Sequence, residues 1–195
     1  MSLVNALYNL QLMKIAGENG VAAYGAVMYV NFIFVATFLG YAIGCAPVIS
    51  YHYGAGNHAE LKNLYKKSMS IILVWGVILF GAAQLLAPVL SKIFVGYNTG
   101  LYAMTLHGFR VYAIAFLIIG INIFGSSFFT ALNNGLISAV ISFLRTLMFQ
   151  VIMVLTLPLW FGINGIWSAI SIAEALTLIM TTTFFVRQKD KYHYL

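Results

Sequence analysis

Glu174 stands near the middle of an apolar stretch, with Ser171, Thr177 and Thr181 on its side at helical steps of three and four. A carboxylate at the centre of a bilayer-spanning helix costs about 2.5–3.5 kcal/mol on insertion scales, so it must face protein or water. Such an acid marks either a ligand or ion pathway or a lock between helices. Arg145 is the complementary charge; it lies in the preceding apolar stretch about 13 Å deep at helical rise, where it snorkels or pairs with Glu174. Asn122, Ser126 and Thr130 recur at i, i+4 and i+8, a polar stripe that lines a cavity or ties helices by hydrogen bonds. Asn5, Asn9, Tyr29, Asn31 and Gln150 carry the same two readings. These groups suit ligand binding rather than bond cleavage. His52, His58, His107 and His193 make no metal-ligand or triad spacing with a carboxylate or serine.

The elements that must position these groups follow from composition. Only 7% of the residues are charged and 62% are hydrophobic, whereas soluble domains carry about 25% charged residues. A helical span needs about 20 mostly apolar residues, and the alternating pattern of a membrane barrel is absent. The chain is therefore expected to be an all-α integral membrane protein, a six-transmembrane-helix bundle over residues 1–187 with a cytoplasmic tail at 188–195. The predicted helices cover residues 1–16, 21–51, 69–91, 106–132, 136–160 and 164–186. The first is short and carries Asn5, Asn9, Gln11 and Lys14, so it reads as a helix missing its start. It lacks the basic start, apolar middle and cleavage site of a signal peptide.

The net charge of +6 lies at helix ends, where cations report topology rather than nucleic-acid binding. Lys62, Lys66 and Lys67 on one connection and Arg187, Lys189 and Lys191 on the tail place both segments inside, with the N-terminus there too. Residues 57–68 read as an amphipathic cytoplasmic segment at the headgroup level, with Asn57 as N-cap and Glu60 at capping-box spacing. Arg110 reads as an interfacial anchor. Gly40, Gly44 and Pro47 mark where the long second helix could bend, and Gly40 with Gly44 forms a small-xxx-small pair for close packing. GAGNHA at residues 54–59 has the letters of a phosphate fingerprint, but it follows a helix rather than a strand and reads as a turn. Cys45 has no intrachain partner, which excludes an intrachain disulfide.

The segment GYAIGCAPVISYHYGAGN at residues 40–57 resembles the eighth helix and following turn of the multidrug and toxic compound extrusion (MATE) family. AAYGAVMYV before it, then FGSSFFTALNNG, SFLRTLMFQ and FGINGIWSAISIAE, resemble that family's C-terminal lobe in order, over essentially the whole chain. The closest similarity is to the bacterial multidrug branch. The resemblance implies one lobe of a twelve-helix secondary antiporter that exports cationic or amphipathic drugs in exchange for protons or sodium ions. It implies a cavity between two lobes, consistent with repeat-built transporters. The partners implied are a small-molecule substrate, the lipid bilayer of the cell membrane, and an N-terminal lobe or a second copy. No cofactor, metal or nucleic acid is implied, and the chain is not expected to be an enzyme. Some relatives place a cation-binding acid in the helices matching the first and fourth here; this sequence has Asn5, Asn9 and Ile119–Asn122 there, so the coupling site would sit in the N-terminal lobe. Glu174, Asn122, Ser126, Arg145, Asn31 and Tyr29 are the candidates to line the cavity. The alternatives are a lipid-linked or polysaccharide flippase of the same superfamily, and a truncated membrane fragment that does not transport.

Overall fold

The computed structural model describes residues 2–195, so Met1 of the predicted first helix lies outside the described residues. A helical trace from Ser2 to Gly54 breaks once, at Gly17, whose φ of 63° and ψ of −154° are not helical. The two sides are α1, residues 2–16, and α2, residues 18–54. They fold back on each other: Tyr24 Oη donates to Asn5 Oδ1 at 3.1 Å across 19 sequence positions, and the Tyr8 and Tyr24 rings stack at 5.1 Å. Unbroken helix would separate Asn5 and Tyr24 by about 28 Å. The positive φ is what makes glycine suitable at this reversal.

Four further helices follow: α3 at His58–Val95, α4 at Thr99–Ala131, α5 at Gly135–Phe161 and α6 at Ile163–Tyr192. Asparagines cap three of them. The side chains of Asn57, Asn98 and Asn134 accept from the backbone N–H of Glu60, Leu101 and Ile137 at 3.1, 3.0 and 3.3 Å, satisfying amides that the first turn leaves free. A 3-10 turn at Ala113–Ala115 interrupts α4, and a π turn at Leu144–Met148 interrupts α5.

Among the described residues five helices, counting Leu3–Gly54 as one, are long and apolar enough to cross a membrane. The expected six spans thus become five helices of spanning length plus a short α1, about 22 Å by helical rise, packed on α2. Large apolar side chains point outward: Ile43 is 69%, Leu85 79% and Leu159 78% exposed. In water this would be a liability, whereas a lipid-facing surface requires it. The most buried helix is α4, which packs against the first helical trace, α3, α5 and α6.

Three local expectations change. Residues 58–68 are not a separate surface segment but the first turns of α3, because Leu61 and Tyr65 are buried and Tyr65 packs on Phe128, Phe185 and Tyr194. The end of the predicted tail at residues 188–195 is docked on the bundle. Helix α6 runs to Tyr192, and Tyr194 turns back, fully buried, to donate to the Phe185 carbonyl at 2.8 Å. Burial and the neighbouring Tyr65 and Tyr192 push the Tyr194 phenol pKa up. Finally, Gly40 and Gly44 meet no close neighbour, and Gly17 alone departs from helical backbone in this trace. Close approach occurs instead at Gly120, where a Cβ would overlap the Phe38 ring, and at Gly125, where it would overlap the Thr181 methyl.

Candidate functional site

The π turn of α5 carries Arg145. Such a turn holds one residue more than α-helical bonding needs, and it recurs at functional positions. From it Arg145 Nε donates to Glu174 Oε1 of α6 at 3.0 Å. Asn122 of α4 donates from Nδ2 to Glu174 Oε2 at 2.7 Å and to the Glu174 carbonyl at 2.9 Å. Thr181, two turns beyond Glu174, donates to Asn122 Oδ1 at 3.0 Å. Every partner fixes the next. Asn122 must present its amide nitrogen to the two acceptors and its oxygen to the hydroxyl. Gly125 lets α6 approach α4 closely enough for the Thr181 contact.

Glu174 is 1% exposed and Asn122 is fully buried. A buried ion pair recovers its desolvation only when the remaining lone pairs are also satisfied. Asn122 supplies that satisfaction on the second carboxylate oxygen.

In front of this network lies an open cleft of about 70 Å³, between α1, α2, α4, α5 and α6. Apolar walls come from Val4, Met28, Phe32, Val35, Ile119 and Ile170; polar groups come from Asn5, Tyr8, Tyr24, Asn31, Tyr112, Gln150, Arg145 and Glu174. Two buried atoms on its wall, Tyr8 Oη and Asn31 Oδ1, have no hydrogen-bond partner among the described residues. The arrangement offers an apolar slot with a few convergent polar groups and no nucleophile–base pair. That is the anatomy of a binding site.

The six sequence candidates separate here. Arg145, Glu174 and Asn31 border the cleft. Asn122 stands behind it, holding Glu174. Ser126 faces α5, with its hydroxyl 2.9 Å from Ser138 Oγ and 2.7 Å from Ser142 Oγ. Thr130 joins the same cluster through Ser138 at 2.7 Å. The polar stripe of α4 therefore ties helices together, since successive turns of a tilted helix meet different neighbours. Tyr29 points away, 66% exposed and stacked on Phe94 at 6.0 Å. Arg145 pairs with Glu174 rather than snorkelling. Sequence reasoning passed over Tyr8 and Tyr112; the signal for Tyr8 was its place one helical turn from Asn5.

The sequence signature of MatE matches residues 1–156. The chain belongs to the MatE family. This is a family of transporters rather than enzymes, and the chain is a multi-pass membrane protein. Solved MATE structures share its fold. A MATE transporter in complex with MaL6 superposes with a TM-score of 0.90 at 20% identity, covering 100% of this chain and 44% of that one. A multidrug resistance MATE transporter of the MOP superfamily in an inward-facing conformation gives 0.91 at 19% identity, covering 98% and 44%. A MOP superfamily transporter from Pyrococcus furiosus, whose reverse pocket polarity suggests a different function, gives 0.87 at 20% identity, covering 96% and 42%. The chain thus spans less than half the length of these transporters. No protein of curated function matches its sequence.

Proposed function

We propose that this chain is the C-terminal lobe of a MATE-type secondary antiporter, and that the cleft in front of Glu174 is its contribution to the path of an amphipathic organic compound. The observation that carries the reading is the cleft itself, with its apolar walls and an ion pair braced from behind by Asn122 and Thr181. Substrate sites of repeat-built transporters lie near the repeat interface, so a second lobe completes the cavity, either the N-terminal lobe or another copy. The coupling ion is a proton or sodium, held by the N-terminal lobe where that lobe is the partner. The lobe sits in the cell membrane with both termini and the lysine-bearing turn before α3 in the cytoplasm, in keeping with the charge asymmetry.

Dye efflux tests this. Cells producing the chain alone are compared with cells that also produce a related N-terminal lobe, after membrane insertion is verified in both, using ethidium and an uncharged amphipathic dye. Export only with the added lobe supports the reading, and export by the chain alone supports pairing of two copies. Failure of both pairings to export either dye counts against efflux of cationic and uncharged drugs.

A further inference from the structure

The cleft does not present the charge that a buried acid suggests. Glu174 is almost wholly covered, and both its oxygens are engaged by Arg145 and Asn122. Arg145 uses only its Nε in that pair; among the described residues its two terminal nitrogens make no hydrogen bond, and its side chain retains 13% exposure on the cleft wall. A guanidinium has five N–H donors, so four of them are left without a partner among the described residues. The same cleft is lined by Tyr8 and Asn31, whose hydroxyl and carbonyl oxygen are buried and unpartnered among the described residues. Donors dominate, and one acceptor waits for a donor.

We infer that the cleft takes an amphipathic organic anion, whose carboxylate or phosphate accepts from Arg145 and Tyr8 while a hydroxyl or amide N–H of the same molecule donates to Asn31 Oδ1. This rests on the reading of the cleft as a ligand site and specifies the ligand's charge. The Arg145 and Glu174 charges offset each other, so the discriminating force is directional. A planar fork with two free ends matches a two-oxygen anion, whereas a cation meets N–H groups of its own sign. Glu174 acts as a positioning residue that holds the guanidinium by one nitrogen and leaves the other two for the ligand.

The test is binding to the full 195-residue chain in lipid nanodiscs, read by dansyl fluorescence. The probes are dansylglycine, which has a carboxylate and one sulfonamide N–H, its methyl ester, and a dansyl quaternary ammonium of similar size. The acid is expected to bind about tenfold or more tightly than the ester, the effect of one charge-assisted hydrogen-bond set. Glu174→Gln should hold or strengthen acid binding, because the guanidinium loses its counter-charge. The double variant R145Q/E174Q removes both charges together, avoids a lone buried charge, and should abolish the preference of acid over ester. Equal binding of acid and ester, or preferred binding of the ammonium with its loss in Glu174→Gln, overturns the anion assignment and leaves the cleft a ligand site. Binding of none of the three overturns the anion assignment, while the transport reading stands or falls on the dye-efflux comparison. Asn31→Leu, which leaves the ion pair intact, should weaken the acid and its ester equally; an unchanged ester would remove Asn31 from the proposal.

Discussion

Arg145 and Glu174 lie 29 positions apart on neighbouring helices, yet Nε and Oε1 meet at 3.0 Å with the carboxylate sealed from solvent. The two partners are unequally placed, since the acid is 1% exposed and the guanidinium 13%. Loss of the arginine therefore strands a charge that water cannot reach, whereas loss of the acid leaves a guanidinium at an open cleft. Arg145→Gln should lower stability by about 3–5 kcal/mol, the range for breaking a buried pair. Glu174→Gln should cost less, and the double variant less than the sum. Unfolding of purified protein in mixed detergent micelles measures this. Equal losses for the two single variants would contradict the asymmetry.

Asn122 and Ser126 are one helical turn apart but differ in consequence. Asn122→Leu leaves Glu174 Oε2 and Thr181 Oγ1 without their partner, so a loss of about 1–3 kcal/mol is expected. Ser126→Ala removes one hydroxyl from a cluster in which Thr130 and Ser138 still bond each other, and about 0.6 kcal/mol is the expectation for such interhelical contacts. The same unfolding assay compares them, and a larger effect at Ser126 would count against the network described.

Three glycines separate backbone conformation from packing. Gly17→Ala forces a Cβ onto a backbone at φ 63° and ψ −154°, a region essentially confined to glycine, and should destabilise the α1–α2 hairpin by about 1–3 kcal/mol. Gly120→Ala drives a methyl into the Phe38 ring and should cost about 1–3 kcal/mol as overpacking. Gly40→Ala meets no atom nearby and should be neutral or slightly stabilising through helix propensity. A large loss at Gly40 in thermal unfolding would restore the small-residue contact expected from sequence.

The lysine-rich start of α3 gives a test of orientation. In a C45S background, K66C should react with a membrane-impermeant maleimide only after the cells are permeabilised. Labelling of intact cells would invert the topology.

Much of the bundle was legible because bilayer thickness sets helix length and charge is confined to helix ends. The pairing of Arg145 with Glu174 was also within reach, since two opposite charges at membrane depth have few other ways to be satisfied. Helix rotation was not. Ser126 and Asn122 share a stripe in sequence, yet one meets α5 and the other α6, because their orientation depends on the neighbours that surround α4. The small-residue pair at Gly40 and Gly44 illustrates the same limit: small residues permit close contact, but only a facing helix makes it occur, and here that happens at Gly120 and Gly125. The docked Tyr194 was hidden by the cations of residues 187–191, which marked a tail without showing that an aromatic beyond them finds a pocket.

The π turn at Leu144–Met148 contains one residue more than an α-helix requires. If the chain before it is the fixed part, rewinding that turn as ordinary helix would swing everything after it by about 100°. Gln150 would then leave the cleft although neither neighbouring helix had shifted. Winding of a single turn could thus serve as a gear for α5, changing which side chains meet the ligand through torsion within one segment rather than through travel of a whole lobe.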